Sequence, residues 1–224
     1  MSEHHEEQEQ IDALKRWWHE NGTFVTVGVF IGVAAIAGWR TWQSWEQRAA
    51  EDASAVYSAL ARAVESHDAA TYEALADGLV RDHARTPYAA NGALLAAKAA
   101  VDAGDLAKAE LRLAWVVTNG RDAELVALAR VRLARVQLAL DQAERALATV
   151  GVTPAGAFGP LTDEARGDAL TALGRHDEAR VAYRAALAGA ADNQVDRGTL
   201  ELKLGDLGPA SVAAPAAPAT GAKP

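Results

Sequence analysis

From Asn21 to Trp39 the chain runs nineteen residues without a charged side chain, closed by Glu20 on one side and Arg40 on the other. As a helix this stretch spans about 28 Å, close to the thickness of a bilayer's hydrocarbon core. Five of the six tryptophans sit at its ends: Trp17 and Trp18 before, Trp39, Trp42 and Trp45 after. Indole rings favour the headgroup level, so the pattern predicts one transmembrane helix over 21–39 with an aromatic belt at each interface, Arg40 marking the exit. Ahead of it lies a short polar N-terminal tail, 1–20, in which Ile11, Leu14 and Trp18 recur at helical spacing. After Arg40 neither glycine nor proline occurs until Gly78. The helix is therefore expected to continue as a stalk over 40–66, with Tyr57, Leu60 and Val64 as its apolar face.

Two other readings of the apolar stretch fit less well. Ala35-Ile36-Ala37 looks like a signal-peptide cleavage site, but the leading region is long and acidic, where a signal peptide starts short and basic. A buried core helix would give the flanking tryptophans no reason to be there. Gly28 and Gly32 form one small-xxx-small pair through which another membrane helix could approach closely.

From about residue 50 to 205 the pattern changes. Apolar residues recur at three and four, alanine and leucine dominate, and a glycine or turn interrupts at Gly104, Gly120, Gly151 and Gly174. This predicts an all-α fold: a single transmembrane helix followed by antiparallel helix hairpins, with the repeat domain over 67–207. The segments beginning at Gly104 and Gly174 share a spacing: glycine, alanine five residues on, then Leu113 or Tyr183 four later. Between them Asp141 stands in the glycine's place, followed by Ala146 and Val150. The alanines Ala109, Ala146 and Ala179 are thus 37 and 33 residues apart. Upstream, Ala97 and Ala100, Ala134 and Gln137, and Gly167 and Leu170 fall seven and four residues before each turn. Small residues let two helices cross closely, and each hairpin leaves an apolar face that only the next can cover. From Gly208 an alanine- and proline-rich tail, 208–224, has no means of building a core and is expected to be disordered.

This pattern resembles the tetratricopeptide repeat, with repeats at about 90–123, 127–159 and 160–193 and a degenerate one around 56–87. Leu200 to Leu204 would cap the last. In that family the second, fifth, ninth and twelfth positions of each repeat's first helix face a binding groove. The resemblance therefore implies groove residues Asn91, Leu94, Lys98 and Val101, then Leu128, Val131, Arg135 and Leu138, then Leu161, Glu164, Asp168 and Thr171. Lys98 and Arg135 occupy equivalent positions, from which they could together hold a carboxylate or a peptide carbonyl.

Composition narrows the function. A net charge of −8 and a pI near 5.3 argue against nucleic acid, whose phosphates need a basic surface. The absence of cysteine excludes a disulfide framework and a thiolate metal site. No HExxH, phosphate-binding glycine loop or GxSxG turn occurs, and the carboxylates pair with neighbouring arginines as solvated helix faces. His4 and His5 beside Glu6 and Glu7 read as a polar tail rather than a metal site. No enzyme activity, cofactor or small-molecule substrate is expected; binding is. Orientation stays open, because Lys15 and Arg16 on one side nearly balance Arg40 and Arg48 on the other.

The order of segments is more specific than the repeat. An acidic start ends in Glu20-Asn21-Gly22, the span exits through Gly38-Trp39-Arg40-Thr41-Trp42, and Thr86-Pro87-Tyr88-Ala89 precedes the repeats. Leu202-Lys203-Leu204-Gly205-Asp206-Leu207 follows them. Over about residues 6–207 this resembles the YfgM family, the ancillary subunit of the SecYEG translocon in Gram-negative bacteria. The resemblance implies a single-pass inner-membrane protein, N-terminus cytoplasmic and repeat domain periplasmic. It also implies two partners, the SecYEG translocon and a PpiD-like membrane-anchored chaperone, and a role in handing exported chains to periplasmic chaperones. A scaffold for envelope or cell-division assembly is the alternative on the same fold, and a cytoplasmic adaptor the alternative in the opposite orientation.

Overall fold

The computed structural model describes residues 3–151, 158–189 and 195–208, with side chains from Lys15 onward. The alanine-proline tail beyond Gly208 and the side chains of His4, His5, Ile11 and Leu14 lie outside the described residues. Among the described residues there are nine α-helices and no strand. The chain divides into two compact units, Met1–Asp52 and Ala53–Pro224.

The first unit lies within helix α1 (Glu3–Glu65). Its most apolar stretch has a mean hydropathy of 1.8, and only 6% of it is buried. By length and composition it qualifies as a membrane span, and a stretch that apolar and that exposed calls for lipid or a partner. Two hydroxyls in and beside it are satisfied internally: Thr26 donates to the Gly22 carbonyl at 2.6 Å, and Thr41 to that of Gly38 at 2.8 Å. Such back-bonding removes the cost of a free hydroxyl in hydrocarbon. Trp17, Trp18, Trp39, Trp42 and Trp45 are all exposed.

The second unit starts inside the same helix. Ala53, Leu60 and Ala63 are buried against Tyr72, Ala76 and Leu79 of α2 (Ala69–Asp82) and Ala96 and Ala99 of α3 (Pro87–Asp102). The segment read from sequence as both the end of a stalk and the start of a degenerate repeat thus packs as the first helix of a hairpin. Three more hairpins follow: α3 with α4 (Leu106–Asn119), α5 (Ala123–Ala139) with α6 (Ala143–Gly151), and α7 (Gly159–Ala172) with α8 (His176–Gly189). Helix α9 (Arg197–Asp206) covers α8, burying Leu200 with Leu170 and Tyr183.

One backbone device closes all four hairpins. His67, Gly104, Asp141 and Gly174 adopt left-handed φ values of 58°, 79°, 59° and 71°. The next residue's N–H then reaches back across the turn, from Asp68 to Ala63, Asp105 to Ala100, Gln142 to Gln137 and Arg175 to Leu170, at 2.8–3.0 Å. This satisfies carbonyls that a helix end would otherwise leave without a donor. Asp68 and Asp105 then cap the returning helices, each accepting a backbone N–H at 3.1 Å. Glycine at the helix crossings serves a different purpose. A methyl on Gly167 would overlap the Tyr183 ring, and one on Gly92 would sit 3.2 Å from Leu60 and closer still to Leu79.

Candidate partner-binding groove

The first helices of successive hairpins, α3, α5 and α7, pack side by side. Between α3 and α5 they leave a cavity of about 300 Å³. Leu94, Val101, Leu113 and Val136 form its apolar wall, and Lys98, Arg132 and Arg135 bring three cations to it. Among the described residues no carboxylate lines it. Val101 remains 42% exposed, so the wall is open to solvent.

Four of the residues expected in the groove, Leu94, Lys98, Val101 and Arg135, meet in this cavity. The pair Lys98 and Arg135 does face one space, but each cation already has a carboxylate. Lys98 donates to Asp102 at 2.6 Å on its own helix, and Arg135 to Glu164 at 3.3 Å on α7. Asn91, Leu128, Leu138 and Leu161 are half-buried and do not line the cavity. Val131 departs from the expectation: it is 1% exposed and packs with Ala134, Ala146 and Ala165 in the core. On a helix covered on two sides, the position before an exposed arginine turns inward. Sequence reasoning missed Arg132, one residue on, whose guanidinium has no carboxylate partner among the described residues.

At α7 the groove is occupied from within. Glu164 and Asp168 both accept from the ammonium of Lys203 on α9, at 2.9 and 2.7 Å. Asp168 also accepts the Tyr183 hydroxyl at 2.8 Å, and the Lys203 ammonium lies 5.7 Å from the centre of that ring. Thr171 stands 3.2 Å from the same hydroxyl. Burial pushes the Tyr183 phenol well above its ordinary pKa, and the Asp168 carboxylate adds to this against the opposing Thr171 bond. Burial works against the charge on Lys203, but its bonds to Asp168 and Glu164 outweigh that, and its pKa is raised. The junction therefore holds one cation between two anions, with tyrosine as a neutral donor. Nothing in the local sequence announces this, because Lys203 lies 35 and 39 residues from its partners.

A second ion network sits on the other side of the hairpins. Arg112 of α4 reaches Glu73 at 2.5 Å and Asp77 at 2.6 Å on α2. Among the described residues no group of three or more histidine or acidic side chains is placed to hold a metal ion. In the first unit, a Cβ added at Gly28 or Gly32 would meet nothing within 4 Å, so both glycines border open space.

The chain matches a family model described as a tetratricopeptide repeat-like domain over residues 15–209. It is similar to a protein of Escherichia coli named ancillary SecYEG translocon subunit, 34% identical over 185 residues, 83% of this chain and 89% of the relative. A Haemophilus influenzae protein of the same name is 30% identical over 202 residues, 90% of this chain and 98% of the relative. One from Neisseria gonorrhoeae is 28% identical over 208 residues, 92% of this chain and all of the relative. These alignments take in the apolar helix and the hairpins together, and with them the chain belongs to the tetratricopeptide repeat-like family of ancillary SecYEG translocon subunits.

Proposed function

We propose that this protein is a non-catalytic interaction module anchored in the inner membrane at the Sec protein export channel. Helix α1 crosses the membrane with the N-terminus in the cytoplasm, and the hairpins stand in the periplasm. There they link the translocon to a PpiD-like membrane-anchored chaperone that receives exported chains. The observation that carries this reading is the extent of the relatives' match: 98% of the length of the Haemophilus influenzae translocon subunit aligns, so span and hairpins are shared as one unit. The exposed apolar helix supports a single-pass anchor, and the open cavity between α3 and α5 supports binding rather than catalysis. Gly28 and Gly32 offer the span a close approach to a partner helix.

The test is affinity purification of the full chain from membranes in mild detergent, with every co-purifying protein identified. Translocon subunits together with a membrane-anchored chaperone are expected. Division or cell-wall proteins without the translocon would overturn the export role and favour an envelope scaffold on the same fold.

A further inference from the structure

Along the α3, α5 and α7 faces, charge is balanced in one place and not in another. The α7 end is closed by the molecule itself: Lys203 bridges Glu164 and Asp168, and Arg135 adds the second cation. At the α3–α5 end three cations border an apolar cavity; Lys98 is paired with Asp102 and Arg135 with Glu164, while Arg132 has no anionic partner among the described residues. This occurs on a chain whose net charge is −8, so the cationic site stands out against its surroundings. An uncompensated guanidinium beside apolar walls is a place where a carboxylate gains twice, by charge and by partial exclusion of water. A cavity of about 300 Å³ admits a large apolar side chain or two, not a helix.

From these features we propose that the α3–α5 cavity docks an extended segment of a partner protein in which an aliphatic or aromatic residue is flanked by aspartate or glutamate. The apolar side chain enters against Leu94, Val101 and Leu113, and the flanking carboxylate is held by Arg132. Lys98 and Arg135 contribute less, because Asp102 and Glu164 already accept from them. This rests on the reading that the hairpins are a binding surface, and it adds the chemistry of what binds.

The test uses the full chain in detergent and a fluorescein-labelled, C-terminally amidated hexapeptide of alternating leucine and glutamate. Anisotropy is measured against the same peptide with glutamine for glutamate. The acidic peptide is expected to bind at least about tenfold more tightly than its glutamine counterpart, with the preference shrinking as salt is raised. Arg132→Glu is expected to weaken it by about tenfold or more, Lys98→Glu to weaken it less, and Arg184→Glu on α8 to leave it unchanged. Arg132 and Lys98 are exposed, and helical circular dichroism checks that each variant is folded. Equal binding of the two peptides, unchanged binding by Arg132→Glu, or no binding of the acidic peptide would each overturn the proposal. Translocon co-purification is scored separately with the wild-type chain. Its failure with acidic-peptide binding intact would remove the export role and leave the site; the reverse pattern would remove the site and leave the export role.

Discussion

Glycine serves two unrelated purposes in this chain, and substitution separates them. At Gly104 a Cβ would meet nothing within 4 Å, so the position needs glycine only for its φ of 79°. Gly104→Ala is expected to lower stability by about 1–2 kcal/mol through backbone strain alone, with Gly104→Asn losing less because asparagine visits that region more readily. At Gly167 the backbone is helical and the Tyr183 ring fills the space. Gly167→Ala is expected to cost about 1–3 kcal/mol through overpacking, and asparagine there to do worse than alanine. Thermal unfolding followed by circular dichroism reads both, and the opposite ranking of alanine and asparagine at the two sites is the outcome that matters. The capping aspartates add a pH dependence. Asp68 is held below its ordinary pKa by the Thr71 hydroxyl and then by the Thr71 N–H, Asp105 by the Lys108 N–H, and Asp196 by the Thr199 hydroxyl and N–H. A carboxylate with a lowered folded pKa stabilises the fold above its unfolded value, about 4, and loses that contribution as pH falls through the folded one. A variant with asparagine at all three positions is expected to show a shallower fall in melting temperature below about pH 4 than the wild type.

At the level of helices, the four hairpins are alike in closure but unlike in how visible they are. The three that contain Gly104, Asp141 and Gly174 were legible because the alanines at Ala109, Ala146 and Ala179 repeat the spacing. The first was obscured for two reasons. His67 holds the left-handed position that glycine marks elsewhere, and its first helix is the end of α1, which no glycine, proline or cap sets apart from the apolar stretch. Groove positions carried over from the repeat family placed Lys98 and Arg135 in one cavity, yet missed Arg132 and assigned the core residue Val131 to the surface. One residue of register is 100° around a helix, which is enough to exchange core for rim. The part played by α9 was beyond local reading, since it depends on side chains that meet only after folding. Lys203→Met is expected to destabilise the fold by about 1–3 kcal/mol, because it leaves two half-buried carboxylates side by side. Lys203→Met with Asp168→Asn should recover part of the loss, measured by denaturant unfolding. The raised pKa of Lys203 means its contribution is complete below the ordinary lysine value, about 10.4, and is lost only as pH rises beyond that, so docking of α9 is expected to be unchanged between pH 6 and 9.

For the whole molecule the open question is which side of the membrane each unit occupies, and the chain is suited to answering it. It contains no cysteine, so Ser2→Cys and Ser66→Cys give two single-thiol proteins. With the proposed topology, a membrane-impermeant maleimide added to cells with a permeabilised outer membrane labels Ser66→Cys and spares Ser2→Cys; the reverse result would put the hairpins in the cytoplasm. Each hairpin closes on contacts local in sequence, and arrays of this kind fold from such local units. They can therefore form in order as the chain emerges, while the pair Glu164 and Asp168 waits for a lysine 39 and 35 residues further on. Until that lysine arrives, Arg135 offsets Glu164 but Asp168 has no cationic partner among the described residues. The α9 junction thus marks completion: a product terminated before Lys203, by stalled synthesis or by trimming, carries an uncompensated Asp168 at its end, and only a chain that reaches Lys203 balances it.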